Sequence, residues 1–359
     1  MEEFYLNLTS LGWNETYQEQ AAPYYKDGLI PARVASEQKQ LYRVLTEQGE
    51  LHAEITGKMR FQADGRNDYP AVGDWVMISP RIDEGKAIIH TILPRKTKFS
   101  RKIAGQLVDE QIVAANIDTV FIVNALNNDF NIGRIERYLI LTWESGANPV
   151  ILLSKADLCT DIEHKIAQIE NIAIGVPILV ISSLQNEGLD QLQPFLEEGH
   201  TSALLGSSGV GKSSIVNRLI GETVMEVRAA REGDDRGRHT TTHRELIALK
   251  QGGLIIDTPG MRELGLWDSE AGIQTAFDDV EEFTKQCRFD DCTHKNEPGC
   301  AVKAAIHSGE LDARRYDSYV KLQRELKYIL RKENHHARIA EKKKSKKVTK
   351  SVREKYTIE

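Results

Sequence analysis

No apolar run in this sequence approaches the roughly 18 residues needed to cross a bilayer, and its mean hydropathy is −0.41. No membrane-spanning helix is expected. The opening residues, MEEFYLNLTSLGW, are acidic and show no basic stretch followed by an apolar one. We therefore expect no secretory signal and a cytoplasmic protein without a membrane partner. Cysteine is scarce: the 359 residues contain only Cys159, Cys287, Cys292 and Cys300. A secreted disulfide scaffold carries more, spread more widely. The crowding of the last three between positions 287 and 300 favours a metal over a disulfide. No internal repeat stands out. Hydrophobic residues at 40% and charged residues at 28% exclude collagenous and wholly disordered chains.

The length implies two or three domains at about 150 residues each. Residues 1–30 read as an amphipathic lead-in, with Leu6, Leu8, Leu11 and Trp13 available for packing. Residues 31–100 hold short β-rich runs, Leu41–Thr46, Leu51–Thr56, Asp74–Ser79 and Ala87–Leu93, punctuated by glycine and proline. Such spacing suits a small barrel or a sandwich, an OB-like barrel being one option. Over residues 110–268, the runs Val120–Val123, Val150–Leu153, Ile178–Ile181, Ala203–Leu205 and Leu254–Ile256 alternate with helix-like segments such as Ile135–Ser145 and Ser213–Ile220. Alternating units of this kind predict a mainly parallel sheet with helices on both faces. Its ligands bind beyond the carboxyl ends of the strands.

Residues 269–335 read as helical and Cys/His-rich, with Leu322, Leu326, Ile329 and Leu330 forming an apolar stripe. Residues 336–359 form a tail in which Arg338 to Glu359 carries a charge of +6, leaving −12 on the rest of a chain of net charge −6. Such a tail suits a polyanionic partner, or is simply solvated.

The segment Gly206-Ser207-Ser208-Gly209-Val210-Gly211-Lys212-Ser213 fits a phosphate loop between a strand and a helix. Its glycines let backbone N–H groups approach a phosphate, and the helix that follows points its positive end at the anion. Lys212 should reach the β- and γ-phosphates, Ser213 should ligate magnesium, and Ser214 can add a phosphate contact. An apolar strand ends in Asp257-Thr258-Pro259-Gly260. Asp257 suits the magnesium shell and Gly260 a backbone contact to the γ-phosphate. Between these segments, the polar loop from Asp234 to Thr242 suits a mobile switch, with Thr240 or Thr241 giving its hydroxyl to the metal.

Upstream, Ser154-Lys155-Ala156-Asp157 follows an apolar strand. Asp157 can accept from the ring N–H and exocyclic amine of guanine, which adenine does not match. A site built on such bonds discriminates by about 10⁴-fold or more. Lys155 should lie along the base, and backbone N–H groups at Ser182 and Ser183 should meet the guanine carbonyl. The base loop precedes the phosphate loop, the reverse of ordinary GTPases. A circular permutation accounts for this, since only spatial position matters. The switch segment after Asp257 then runs directly into the C-terminal region. Cys287-x₄-Cys292-x-His294-x₅-Cys300 supplies the three thiolates and one imidazole of a closed structural zinc site. Cys159 reads as a small buried residue.

Together these motifs resemble the RsgA (YjeQ/YloQ) family of circularly permuted, ribosome-associated GTPases, over nearly the whole chain. The resemblance implies an OB domain, a permuted GTPase domain and a zinc-bearing helical domain. It also implies GTP hydrolysis stimulated by the small (30S) ribosomal subunit during late maturation, with 16S rRNA contacts made by a monomer. Two positions depart from GTPase habit. Ser154 stands where Asn or Thr is usual, which should loosen the base loop while keeping a hydroxyl. Met261 follows the DTPG segment where a water-orienting Gln stands in Ras-like enzymes. Slow intrinsic turnover is therefore expected, assisted by His239, a backbone group or the ribosome. The rival readings are an rRNA-binding scaffold that holds GTP with negligible hydrolysis, and a P-loop ATPase, against which Asp157 argues.

Overall fold

Short β-prone runs separated by turn residues cannot bury an apolar face singly, so they pair and close on themselves. The computed structural model describes residues 7–38, 40–103, 109–221, 244–250, 252–257, 273–274, 276–295, 297–324, 326–327 and 331. Strands β1 (Ile30–Gln38), β2 (Leu41–Thr46), β3 (Gly49–Ile55), β4 (Trp75–Arg81) and β5 (Lys86–Ile92) run in the order β1-β2-β3-β5-β4. β4 pairs back onto β1, and β3 with β5 is the one parallel pairing among them. This closed barrel decides between the barrel and the sandwich, and its strand order is OB-like. Alternate residues of β3, Leu51, Ala53 and Ile55, point inward to Val34, Val44, Ile78 and Ile89.

β1 escaped the sequence pattern because both its faces are covered. Ala32 and Val34 enter the barrel core while Arg33 and Ala35 are also buried. No alternation of polar and apolar residues is left to read.

The lead-in is part of the structure. Asn14 caps α1 (Glu15–Tyr25), its side chain accepting from Tyr17 N–H at 3.2 Å. The Trp13 and Tyr17 rings pack on Trp75 with centroids 4.7 and 5.8 Å away, and Leu11 is fully buried. A short helix α2 (Gly57–Gln62), capped by Thr56, follows β3. β6 (Lys98–Ile103) and β7 (Asp109–Ala115) then form a two-stranded ribbon.

The second sheet is built from β8 (Thr119–Ala125), β9 (Asn148–Ser154), β10 (Ile178–Val180), β11 (Thr201–Leu205), β12 (Glu245–Ala248) and β13 (Leu254–Asp257). Its order is β10-β9-β8-β11-β13-β12. Every pairing is parallel except that of β12 with β13. The sheet is thus mainly parallel, as expected. β12 is a short strand that no clear pattern announced. It also bridges to the barrel, Ser36 opposite Glu245, where Arg43 pairs with Glu245. One face packs Phe121, Val123, Val150, Leu152, Leu204 and Ile255 against Ile215 and Val216 of α5 (Lys212–Ile220). The helix α3 (Ile132–Ser145) buries Ile135, Tyr138, Leu139 and Thr142, an i, i+3, i+4, i+7 stripe. It starts three residues before the expected Ile135 because Asn131 caps it, accepting from Arg134 N–H at 2.9 Å. α4 (Ile162–Glu170) follows β9.

Barrel and parallel sheet belong to one compact unit, Met1–Arg101 with Gln111–Leu264. Buried Arg33 is the joint. Its guanidinium donates to the carbonyls of Leu11, Gly73 (3.3 Å) and Asn116 (3.0 Å). Lead-in, barrel and the entry to β8 are thereby tied to one cation. Burial lowers the Arg33 pKa to about 10.

The second unit comprises Lys102–Glu110 and Gly265–Glu359. It contains α6 (Asp278–Lys285), α7 (Ala301–Ser308) and α8 (313–324). Buried Arg315 of α8 grips Asp279 of α6 with two bonds of 2.6 Å and stacks over Phe277. Leu322 and Leu326 of the expected stripe are buried. Ile329 and Leu330 lie outside the described residues, as do Leu6 and the tail from 336.

Candidate functional site: a phosphate loop stapled to a base loop

The register of the sheet puts the motifs on one edge. Leu205 of β11 lies opposite Ile122 of β8, and Ala125 of β8 opposite Ser154 of β9. Ala203 faces Ile256, so Asp257 also ends on the carboxyl edge. The carboxyl ends of β8, β9, β11 and β13 therefore lie side by side, as parallel strands require.

Within the phosphate loop, Gly206 is demanded by packing: a Cβ there would lie 2.5 Å from the Val123 carbonyl oxygen. Gly211, at φ 99°, is demanded by backbone conformation. Val210 is the loop's apolar anchor, 1% exposed against Ile215 and Phe121. Ser208 and Gly209 are exposed, whereas Ser207, Lys212, Ser213 and Ser214 are half-buried. Lys212 Nζ donates to the carbonyls of Gly206 (2.7 Å) and Ser207 (2.6 Å), which holds the ammonium inside the curl of its own loop.

The base loop is held by two serines. Ser154, 2% exposed, donates its hydroxyl to the Val210 carbonyl at 2.6 Å. The position expected to loosen this loop instead ties it to the phosphate loop. Lys155 adopts a left-handed conformation (φ 58°, ψ 41°), which costs a non-glycine residue roughly 1–2 kcal/mol. The turn is kept by Ala156 N–H donating to Ile181 O (3.2 Å) and Leu158 N–H to Lys155 O (3.0 Å). It brings Asp157 onto Ser182, whose buried hydroxyl donates to Asp157 Oδ1 at 2.6 Å. The Ser182 backbone N–H is engaged with Glu187 O at 3.0 Å. Ser182 thus acts on the carboxylate through its side chain, and Ser183 is the neighbouring N–H.

Sequence reasoning missed the loop after β8, Asn127-Asn128-Asp129-Phe130-Asn131. Its signal was present, a polar run at the carboxyl end of a buried parallel strand. Asp129 accepts from the Ser207 hydroxyl at 2.7 Å and forms a two-pronged pair with Arg134 (2.7 and 3.1 Å).

His239, Thr240, Thr241, Gly260 and Met261 lie outside the described residues. Cys159 is half-buried rather than buried, and its sulfur accepts from Lys165 Nζ at 3.4 Å. The polar contact arises because Lys165 reaches past it to the Leu126 carbonyl (2.7 Å).

In the second unit, the ligand atoms of Cys287, Cys292, His294 and Cys300 all lie within 4.8 Å of one another. This set can hold a metal ion. His294 Nδ1 is 3.5 Å from the sulfurs of both Cys287 and Cys300. Burial pushes the Cys287 thiol up, but hydrogen bonds from the N–H groups of Val302 and Ala301 at the start of α7 and from the Cys292 and Cys300 thiols together outweigh it, and its pKa falls below the ordinary value.

A parallel sheet with a phosphate loop on a central strand, a base loop two strands away and the chain order of the two inverted defines a circularly permuted P-loop nucleotide-binding protein. Residues 92–267 match the RsgA GTPase family. The small ribosomal subunit biogenesis GTPase RsgA 2 of Lactiplantibacillus plantarum is 44% identical over 323 residues, covering 90% of each chain. RsgA of Opitutus terrae is 42% identical over 363 residues, covering 99% of each. Among solved structures, YjeQ from Thermotoga maritima superposes with a TM-score of 0.62 at 30% identity, covering 83% of this chain and 98% of that one. YloQ, described as a circularly permuted GTPase, gives 0.60 at 26% identity over 83% and 95%. The chain belongs to the RsgA GTPase family and is a GTP-hydrolysing enzyme. Among the described residues no helix is long and apolar enough to cross a membrane.

Proposed function

We propose that this enzyme binds the small ribosomal subunit in the cytoplasm, as a monomer, and hydrolyses GTP there during the subunit's late maturation. The names of its relatives, small ribosomal subunit biogenesis GTPases, support the setting. The observation that carries the chemistry is the bond between Ser154 Oγ and the Val210 carbonyl, which sets base reader and phosphate cradle at a fixed spacing.

In this reading Asp157, oriented by Ser182, accepts from guanine, while Lys155 lies along the base and the Ser183 N–H approaches its carbonyl. The N–H groups of Gly206 to Ser214 and the start of α5 hold the phosphates. Lys212 turns from its loop carbonyls to the β- and γ-oxygens. Magnesium fits the hydroxyl and carboxylate oxygens of Ser213, Asp257 and Thr240 or Thr241, and when bound it neutralises charge growing on the phosphates. Gly260 would offer its N–H to the γ-phosphate, and His239 would help orient the attacking water.

The Cys287, Cys292, His294 and Cys300 set suits a structural zinc. Ligand atoms around tetrahedral zinc stand roughly 3.5–3.8 Å apart, given bonds of about 2.0–2.3 Å, and the observed donors are already gathered within 4.8 Å. All four ligand places are then filled by protein, which leaves none for a catalytic water. We assign residues 31–100 to an OB domain, 110–268 to the GTPase domain and 269–335 to the zinc domain, with a lead-in at 1–30 and a basic tail at 336–359. Barrel, zinc domain and tail would meet 16S rRNA phosphates, making association salt-sensitive.

Phosphate release with and without purified small subunits tests this. Stimulated turnover is expected. Binding to subunits without any GTP-dependent phosphate release would favour the scaffold reading. Co-sedimentation with GDP and with a non-hydrolysable GTP analogue should differ, and equal binding would remove the nucleotide switch.

A further inference from the structure

We infer that Arg134 and Asp129, on the loop after β8 and the first turn of α3, are positioning residues of the GTPase reaction that set the phosphate loop through Ser207. The inference deepens the nucleotide-site reading and rests on it.

The contact is a closed triangle. Arg134 Nη1 donates to Asp129 Oδ2 and to Ser207 Oγ, each at 2.7 Å. The same serine hydroxyl donates to Asp129 Oδ2 at 2.7 Å. Ser207 therefore uses its one proton and accepts in return, and its rotamer is determined from both sides. A lone exposed ion pair would add little, and these side chains are 26% and 38% exposed. Here a rigid guanidinium fork meets a carboxylate and a hydroxyl at once, a geometry a lysine cannot copy.

The bracket is itself well founded. Asn127 Oδ1 accepts from Asp129 N–H at 3.1 Å. Asn131 caps α3, and the buried Asn124 donates to the Asn131 carbonyl at 3.3 Å. Three asparagines thus fix the platform from which Asp129 and Arg134 project. Burial pushes the Asp129 carboxyl up, but hydrogen bonds from Arg134 and Ser207 and the charges of Arg134 and Lys155 hold it below the ordinary aspartate range.

Charge gives the pair its second task. Asp129 is a carboxylate at the mouth of a loop that receives a polyanion. Arg134 neutralises it while leaving it able to hold Ser207. Ser207 follows Gly206 directly, and the carbonyls of these two residues are the ones that hold Lys212. A shift at Ser207 therefore moves the resting place of the lysine ammonium. The phosphate loop is pinned at both ends, by Ser207 to the loop after β8 and by Val210 to Ser154.

The test is a double-mutant cycle on the full chain with Arg134→Ala, Ser207→Ala and the pair together, reading kcat and KM for GTP, GDP affinity and the melting temperature. Each single change should lower kcat/KM about tenfold, the scale of one hydrogen bond to a charged group. The double variant should be no worse than the poorer single one, because both break the same link. Arg134→Lys should not restore the rate. Losses that multiply in the double variant would overturn the inference. So would a lower melting temperature with unchanged kinetics, or full rescue by lysine. Wild-type GTP turnover, measured alongside, reports separately on the nucleotide-site reading.

Discussion

Ser154 and Val210 are 56 residues apart in the chain and 2.6 Å apart in the fold, the serine hydroxyl donating to the valine carbonyl. Both residues are buried, at 2% and 1% exposure. The bond joins the base-reading loop to the phosphate loop across the intervening strand β8. An inverted chain order has no effect on it, because the sheet, not the sequence, sets the distance.

Ser154→Ala should therefore leave the Val210 carbonyl buried and unpaired, at a cost of about 1–3 kcal/mol. GDP and GTP affinity should fall together while the preference for guanine persists, since Asp157 is untouched. Titration of a fluorescent GDP, with ADP as competitor, measures both. Unchanged affinity would show that the staple does not set the site.

Asp157→Asn acts on the other axis. The amide presents a donor where guanine also donates, so the guanine preference should collapse by about 10²-fold or more, on the scale seen when a hydrogen-bonding site meets the wrong partner. Ser182→Ala removes only the bond that orients the carboxylate and should cost about tenfold in GDP affinity, the worth of one hydrogen bond to a charged group. Calorimetry with GDP and ADP distinguishes the two. An Asp157→Asn protein that still rejects ADP would place base reading elsewhere.

Elemental analysis of the purified protein should find a single zinc per chain. Its removal by a strong chelator should lower the melting temperature of the second unit markedly, because structural zinc contributes about 10–16 kcal/mol in small peptides. Cys300→Ser should reproduce the loss, its parent thiol being the most buried of the four ligands. Zinc-free protein with an unaltered melt would reduce the cluster to a surface feature.

Two glycines separate backbone strain from close packing. Gly49 and Gly73 both have positive φ, 108° and 90°. An added Cβ at Gly49 meets nothing within 4 Å, whereas at Gly73 it falls 2.1 Å from the Ala115 carbonyl oxygen. Gly49→Ala should cost about 1 kcal/mol and Gly73→Ala considerably more. The second change also forces apart barrel and parallel sheet at the Arg33 joint. In calorimetry the transition of the unit that holds barrel and parallel sheet should then split for Gly73→Ala and stay single for Gly49→Ala.

Local chemistry made most of the candidate nucleotide site legible in the sequence. Phosphate binding needs glycines, a lysine and a helix start in fixed succession, so Gly206 to Ser213 could be found without coordinates. The same holds for Asp157 after its strand and for the Cys287 to Cys300 spacing. Strands β2 to β5 and β8 to β11 were visible because each keeps one apolar face or one apolar run. β1 was not, because its buried Arg33 is satisfied by the carbonyls of Leu11, Gly73 and Asn116, which only folding brings near.

The amino-acid sequence alone determined which chemical groups this protein carries: a glycine-rich loop with its lysine before a helix, a carboxylate just after a buried strand, and three thiols with an imidazole, each specified by neighbours a few residues apart. Tertiary structure decided which of them cooperate. Ser154 with Val210, Asp157 with Ser182, and Arg134 with Ser207 are pairs that no local rule joins. Strand register places them within hydrogen-bonding distance, and that register depends on burial over the whole sheet rather than on any short stretch of chain.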